Sequence, residues 1–139
     1  MIQKTFLTIT KEIRAEQIWK LMTNVDDWKR WDKSITASRL HGQFAAGSFF
    51  TLKPKGGPDV KAELLEVKAP SYFKDITKFP LARMYDEHLY ENTPEGLKIT
   101  SVLTMKGPLA FLWHMIVMKD LAAQMPEHIQ EQIAEAKKL

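Results

Sequence analysis

Two residues with complementary acid–base chemistry, Asp86 and His88, lie two positions apart in the segment MYDEHLY at 84–90. In a β-strand, residues i and i+2 point to the same face of the sheet. A carboxylate beside an imidazole in a dry pocket favours the charged imidazolium and fixes its tautomer, as a general acid or base requires. The pair is therefore our candidate for a catalytic or ligand-binding centre.

The turn sequence TPEG at 93–96 sets a strand register, and this register decides where the pair points. If Thr93 pairs with Gly96 across a two-residue loop, Asp86 and His88 share a face with the apolar residues of the next strand. Those apolar residues are Leu97, Ile99, Leu103 and Met105. The sequence therefore predicts that the pair points inward.

Three roles remain open for Asp86 and His88. The first is a hydrogen-bonded pair in a polar part of the core, the second is contact with a ligand, and the third is proton transfer. A register shifted by one residue would turn Glu87 inward in their place. If substitution of either residue left ligand binding and turnover unchanged, the pair would be structural.

Other site chemistries lack their sequence patterns. The absence of cysteine excludes disulfides, thiolate nucleophiles and cysteine-based metal sites. No serine lies in a Gly-x-Ser-x-Gly motif, which argues against a serine hydrolase. The histidines share no metal-ligand spacing, so we expect neither a metal nor another cofactor. They are His41, His88, His114 and His128.

The composition indicates one globular domain over residues 1–139. The 20 basic and 17 acidic residues give a net charge of +3 without a basic block, so we expect no nucleic acid partner. The segment MIQKTFLTITKEIR lacks a signal-peptide pattern, and we expect a cytoplasmic protein. The longest apolar run, 108–118, has about half the length that a bilayer requires, so we expect no stable membrane insertion.

Hydrophobic periodicity predicts the elements that position the pair. We expect a first strand over 2–10, a helix over 14–23 and a short helical turn over 26–31. Six further strands in an antiparallel meander are predicted over 35–41, 47–54, 59–67, 72–79, 84–92 and 97–106. Pro108 is expected at the first position of a C-terminal helix, and Pro126 is expected to kink or restart that helix.

This element order and four segments resemble the START-related superfamily (SRPBCC), which includes polyketide cyclase/dehydrase-like and Bet v 1-type proteins. The segments are AEQIWKLMTNVDDWKRWD at 15–32, GSFF at 47–50, AELLEVKAPSYF at 62–73 and GLKITSVLTMKGPLAFLW at 96–113. The resemblance implies the α+β helix-grip (Bet v 1-like) fold. In that fold a curved antiparallel sheet of about seven strands wraps around a long C-terminal helix, and two short helices follow the first strand.

The resemblance also implies an apolar cavity between the sheet and the C-terminal helix. Members of the superfamily bind lipids, sterols or polyketides, or act as cyclases, chaperone regulators or carriers. By this resemblance the segment VDDWKRWD closes one end of the cavity. The residues that we expect to line the cavity are Trp28, Trp31, Phe50, Phe79, Met84, His88, Tyr90, Ile99 and Trp113.

Three functions remain open at this point. The first is binding of a small hydrophobic or amphipathic ligand in the cavity. The second is a polyketide cyclase/aromatase-like enzyme in which Asp86 and His88 transfer protons. The third is an interaction protein, monomer or homodimer, whose apolar helix at 108–118 is covered by a second subunit, since the sheet covers only one face of that helix.

Overall fold

Seven strands form one curved antiparallel sheet in the computed structural model, which describes all 139 residues. The strands are β1 (Ile2–Thr10), β2 (Ile35–His41), β3 (Phe49–Pro54), β4 (Val60–Lys68), β5 (Tyr72–Phe79), β6 (Ala82–Thr93) and β7 (Gly96–Lys106). Strands β2 to β7 follow one another as the predicted meander, and β1 pairs with β7 at the other edge. The predicted strands are therefore confirmed.

Two short helices follow β1, as predicted. Helix α1 spans Ala15–Thr23, and a 3₁₀ helix spans Val25–Arg30. After β7 the chain forms α2 (Ala110–Trp113), a wide π-helical turn (His114–Met118) and α3 (Lys119–Ala136). We call these three consecutive parts the C-terminal helix. None of the helices is long and apolar enough to cross a membrane.

The structure differs from the expectations about two prolines in this region. Helical structure begins at Ala110 and not at Pro108, because Leu109 has φ −104° and ψ 24°, outside the helical region, and its amide donates a hydrogen bond of 3.0 Å to the Leu81 carbonyl in the turn between β5 and β6. Helix α3 does not restart at Pro126. Packing of the buried Ile129 and other apolar residues of α3 holds the helix together although proline removes one backbone hydrogen bond.

The β6–β7 hairpin has the register that the TPEG turn predicts. Thr93 pairs with Gly96, His88 pairs with Ser101, and both Asp86 and His88 lie on the inner face. Glu87 lies on the outer face, where its carboxylate accepts a hydrogen bond of 2.8 Å from the Tyr72 hydroxyl. The alternative register with Glu87 inward is therefore wrong.

Two separate apolar clusters fill the space between the inner face and the helices. The first joins α1, the 3₁₀ helix and the end of α3 to the sheet, and it contains Phe73, Tyr90 and Ile99. The second joins the beginning of the C-terminal helix to the sheet, and it contains Met84 and Leu103. Polar residues lie between the two clusters on three neighbouring strands.

Candidate functional site

Strands β5, β6 and β7 each interrupt their apolar inner face, at neighbouring positions that step diagonally across the three strands. We call the interrupting residues the polar belt: Asp75 and Thr77 on β5, Asp86 and His88 on β6, and Ser101 on β7. Alternation along each strand places these side chains on the inner face, between residues of the first and second apolar clusters. The sheet therefore carries a band of hydrogen-bonding groups across the middle of its inner face.

Asp86 and His88 lie within contact distance of each other in the belt. The Asp86 Oδ1 atom lies 3.2 Å from His88 Nε2, and the imidazole stacks on the Phe73 ring with centroids 4.3 Å apart. The His88 side chain is 13% exposed and the Asp86 side chain 31% exposed. Both groups are thus held in position and remain reachable from solvent.

Asp75 lies beside this pair, because it is the direct partner of Asp86 across β5 and β6. Burial raises the pKa of the Asp75 carboxyl well above its usual value, and the negative charge of Asp86 raises this pKa further. A raised pKa keeps the proton on Asp75 at a pH where a solvated Asp is ionised. The belt therefore combines an acid of raised pKa with a second carboxyl group and an imidazole.

Sequence reasoning missed Asp75, although a signal was present. The inner residues of β5 alternate as Phe73, Asp75, Thr77 and Phe79, so the carboxyl occupies a position that the flanking aromatic residues mark as internal. Pairing of β5 with β6 across the Pro80–Leu81 turn then brings Asp75 to Asp86.

Aromatic side chains form a wall at one side of the belt. The Trp19 ring makes edge-on contacts with Phe44, Phe73 and Tyr90, with centroids 5.9, 6.0 and 6.4 Å away. The Tyr90 hydroxyl is buried without a hydrogen-bond partner in the chain, and burial followed by the charge of Asp86 raises its pKa. Trp19 and Phe44 were not among the predicted site residues.

Three residues of the belt can together hold a metal ion. Ligand atoms of Asp75, Asp86 and His88 all lie within 4.8 Å of one another. Two carboxylates and an imidazole suit Zn²⁺, Mn²⁺ or Fe²⁺. Bonds of about 2.0–2.2 Å from one ion to all three ligand atoms require these atoms to lie less than 4.8 Å apart. Binding also requires that Asp75 lose its proton. The absence of a metal stays a prediction.

The predicted lining residues do not all meet at one place. Trp28, Trp31 and Phe50 are buried in the first cluster, where none of them contacts Asp86 or His88 through a hydrogen bond or ring contact. Trp28 contacts the Phe50 ring with centroids 5.0 Å apart, and Trp31 contacts the His128 ring of α3 at 5.7 Å. These tryptophans join the 3₁₀ helix to the sheet and to the C-terminal helix.

The other predicted lining residues divide between the belt and the second cluster. His88 belongs to the belt, and Tyr90 and Ile99 adjoin it in the first cluster. Phe79, Met84 and Trp113 belong to the second cluster, where Phe79 and Trp113 stack with centroids 4.8 Å apart. The belt thus assembles only His88, Tyr90 and their neighbours from the predicted set.

Two hollows of the structure lie outside the belt. One of about 330 Å³ is lined by Lys78, Phe79, Leu81, Ala82, Arg83, Gly107 and Pro108. Another of about 120 Å³ lies on the outer face of the sheet and includes Tyr85 and Glu87 in its lining. The belt is reached instead through the exposed part of Asp86.

Comparison with known protein families gives one match over nearly the whole chain. The family described as "Polyketide cyclase / dehydrase and lipid transport" matches residues 4–137. No curated protein matches the chain significantly.

Solved structures share the architecture at low sequence identity. Protein NE0264 from Nitrosomonas europaea is 16% identical, with a TM-score of 0.74 over 98% of this chain and 94% of its own. Ara h 8.0201 is 12% identical, with a TM-score of 0.74 over 99% of both chains. The di-domain ARO/CYC protein StfQ from the steffimycin biosynthetic pathway is 11% identical, with a TM-score of 0.78 over 98% of this chain and 50% of its own. These likenesses confirm the predicted α+β helix-grip fold.

Proposed function

The chain belongs to the polyketide cyclase / dehydrase and lipid transport family, and on that premise we propose that it binds a small amphipathic molecule between the sheet and the C-terminal helix. The apolar part of this ligand packs against the aromatic wall around Trp19 and Phe73. Its polar end binds to Asp86 and His88 of the belt. Binding at this place requires some movement of the side chains that border the belt.

The polar belt is the observation that supports this proposal. An unsatisfied polar group in the interior costs about 1–3 kcal/mol, as for the buried Tyr90 hydroxyl, and burial of the Asp75 carboxyl raises its pKa. Apolar residues at these positions would join the two clusters into one more stable core. Three adjacent strands break their apolar pattern where the two clusters meet, and such local conflicts are concentrated at functional sites.

The chemistry of the belt selects the polar end of the ligand. The carboxylate of Asp86 accepts hydrogen bonds, whereas Ser101 and Tyr90 offer hydroxyl groups. A ligand hydroxyl or ammonium group that donates to Asp86 gains a charge-assisted hydrogen bond in surroundings that exclude most water. We therefore propose a ligand with an aromatic or alicyclic body and a hydrogen-bond donor at one end.

Proton transfer is the second candidate function. The raised pKa of Asp75 beside the carboxyl group of Asp86 favours it, because an acid of raised pKa next to a second carboxyl group can serve as a proton donor. In this proposal Asp75 donates a proton to a ligand carbonyl oxygen, and the Asp86–His88 pair removes a proton from the adjacent carbon. These two transfers convert a ketone into its enol without net gain or loss of protons.

Native mass spectrometry of the protein purified from its own host tests binding directly. We expect a mass above that of the chain, and release of one small molecule on unfolding. A matched pair of variants locates the site: Asp86→Leu removes the belt carboxylate, whereas Glu91→Leu removes an exposed carboxylate on the outer face of the same strand. We expect the small molecule to be lost from the first variant and retained by the second.

A defined probe makes the test independent of the natural ligand. We expect 2-naphthol to bind Asp86→Leu at least about tenfold more weakly than the unmodified chain, since a hydrogen bond to a charged group contributes about 1.5–3 kcal/mol. Naphthalene, which has no hydroxyl group, serves as the control and should not bind this variant more weakly. Equal affinities of Asp86→Leu and Glu91→Leu for 2-naphthol would contradict the proposed site.

A further inference from the structure

A group of large apolar side chains lies exposed where the C-terminal helix begins. We call it the apolar edge: Leu81, Phe111, Leu112, Met115 and Ile116. Phe111 is 72% exposed and Leu81 64% exposed. Exposed apolar residues are common singly, but a contiguous group of this kind marks a surface that contacts a partner.

The edge is one surface although it comes from two parts of the chain. Leu81 lies in the turn between β5 and β6, and its carbonyl accepts the hydrogen bond from the Leu109 amide. The Trp113 indole donates a hydrogen bond of 2.9 Å to the Pro80 carbonyl. These bonds fasten the turn to α2, so the exposed side chains keep a fixed arrangement.

Leu81 breaks two local rules at one position. Its φ angle is +57°, in the left-handed region where glycine or asparagine is favoured in a turn. A leucine in this conformation gains little from the core, because most of its side chain is in solvent. The backbone strain and the exposed side chain together indicate that Leu81 contributes to a contact surface and does not stabilise the turn.

Basic residues surround the apolar edge. Lys78 and Arg83 line the hollow that Leu81 borders, and Lys119 follows the π-helical turn. The sequence contains no Asp or Glu within 76–85 or within 103–119. The apolar edge therefore lies in a positively charged rim without a compensating carboxylate in these segments.

We propose that the apolar edge docks on an anionic lipid bilayer as a peripheral contact. Apolar side chains enter the boundary between head groups and acyl chains, and the lysine and arginine rim binds the anionic head groups. A second copy of the chain fits this surface poorly. In a two-fold interface the same rim would meet itself, and like charges would face each other without partners.

Vesicle flotation tests the proposal with the whole chain. Vesicles of phosphatidylcholine with about one third phosphatidylglycerol should carry the protein upward, whereas pure phosphatidylcholine vesicles should carry at least about tenfold less, because surface charge drives the contact. Binding to the anionic vesicles should also weaken as salt concentration rises.

Two double variants distinguish binding through the apolar edge from nonspecific adsorption through any exposed apolar residue. Phe111→Ser with Ile116→Ser should lower binding to the anionic vesicles at least about tenfold. Leu7→Ser with Ile9→Ser removes exposed apolar residues from the outer face of β1 and should leave binding unchanged. Thermal unfolding by circular dichroism establishes that both variants are folded.

Three results would overturn the proposal. One is the absence of vesicle binding by the unmodified chain, and another is equal loss of binding in both double variants. The third is a dimer in light scattering that only the Phe111 and Ile116 double variant converts to a monomer, which would identify a second copy as the occupant.

Discussion

Asp75 and Asp86 lie directly opposite each other on β5 and β6, with both side chains on the inner face of the sheet. Burial and the neighbouring negative charge raise the pKa of Asp75 above the ordinary value of 3.8. Between the pKa of Asp75 in the unfolded chain and its raised pKa in the folded chain, the folded chain binds up to one proton more than the unfolded chain. The free energy of unfolding therefore falls as pH rises through this window.

The substitution Asp75→Asn should remove this pH-dependent cost. We expect the variant to have a higher Tm than the unmodified chain at about pH 8, and the gain should shrink as pH falls towards about 4, where the unfolded chain also begins to bind the proton. Differential scanning calorimetry across this range measures the effect. Glu91→Gln, on the exposed outer face, is the control. A constant difference in Tm at every pH would contradict the raised pKa.

Trp28 and Trp31 should respond differently to the same substitution. The Trp28 Nε1 atom donates a hydrogen bond of 2.9 Å to the buried Met22 carbonyl, whereas Trp31 Nε1 is buried without a partner. Trp28→Phe leaves the carbonyl unpaired and should cost about 1–3 kcal/mol beyond the lost packing. Trp31→Phe loses similar packing but removes an unpaired donor.

Urea denaturation of the two variants measures this difference. We expect a lower unfolding midpoint for Trp28→Phe than for Trp31→Phe, with similar slopes. The opposite order would show that Trp31 makes the more important contact at this end of the core.

Added metal should not stabilise the chain, although Asp75, Asp86 and His88 lie close together. Burial and the charge of Asp86 raise the pKa of the Asp75 carboxyl, so a divalent ion must compete with a proton for this ligand. We expect the same Tm with Zn²⁺, with Mn²⁺ and with EDTA at about pH 7. A rise in Tm with one ion that His88→Gln abolishes would show instead that the belt is a metal site.

The sequence predicts the β6–β7 hairpin because the signals that determine its register lie within the hairpin itself. The TPEG turn sets the pairing, and a period of two then decides the face of every residue, including Asp86 and His88. Alternation gives the face of a residue but not its level along the sheet. The predicted lining set also includes Trp28 and Trp113, which lie on helices in different clusters, where alternation along a strand gives no information.

Other features depend on contacts between distant segments. The approach of Asp75 to Asp86 requires the turn at Leu81. The positive φ angle in this turn could not be predicted, because the position holds leucine and not glycine or asparagine. Trp19 reaches Phe73 only through the packing of α1 on the sheet. The π-helical turn from His114 to Met118 likewise has no marker in its apolar sequence.

Gly96 should tolerate a methyl group much less well than Gly47. Both have positive φ angles, +129° and +94°, so alanine at either position suffers backbone strain of about 1–2 kcal/mol. A Cβ atom at Gly96 would lie 2.5 Å from the Thr10 carbonyl oxygen, whereas one at Gly47 meets nothing within 4 Å. Gly96→Ala must therefore displace the end of β1 from β7, where Thr10 pairs with Leu97.

The comparison of these two alanine variants isolates the contact from the strain. We expect Gly96→Ala to cost about 1–3 kcal/mol more than Gly47→Ala in the free energy of unfolding, as overpacking of a close contact does. Hydrogen exchange should also be faster at the end of β1 in Gly96→Ala alone, because its bonds to β7 are loosened. Equal losses of stability would mean that the backbone conformation, and not the close approach of β1, accounts for the glycine at position 96.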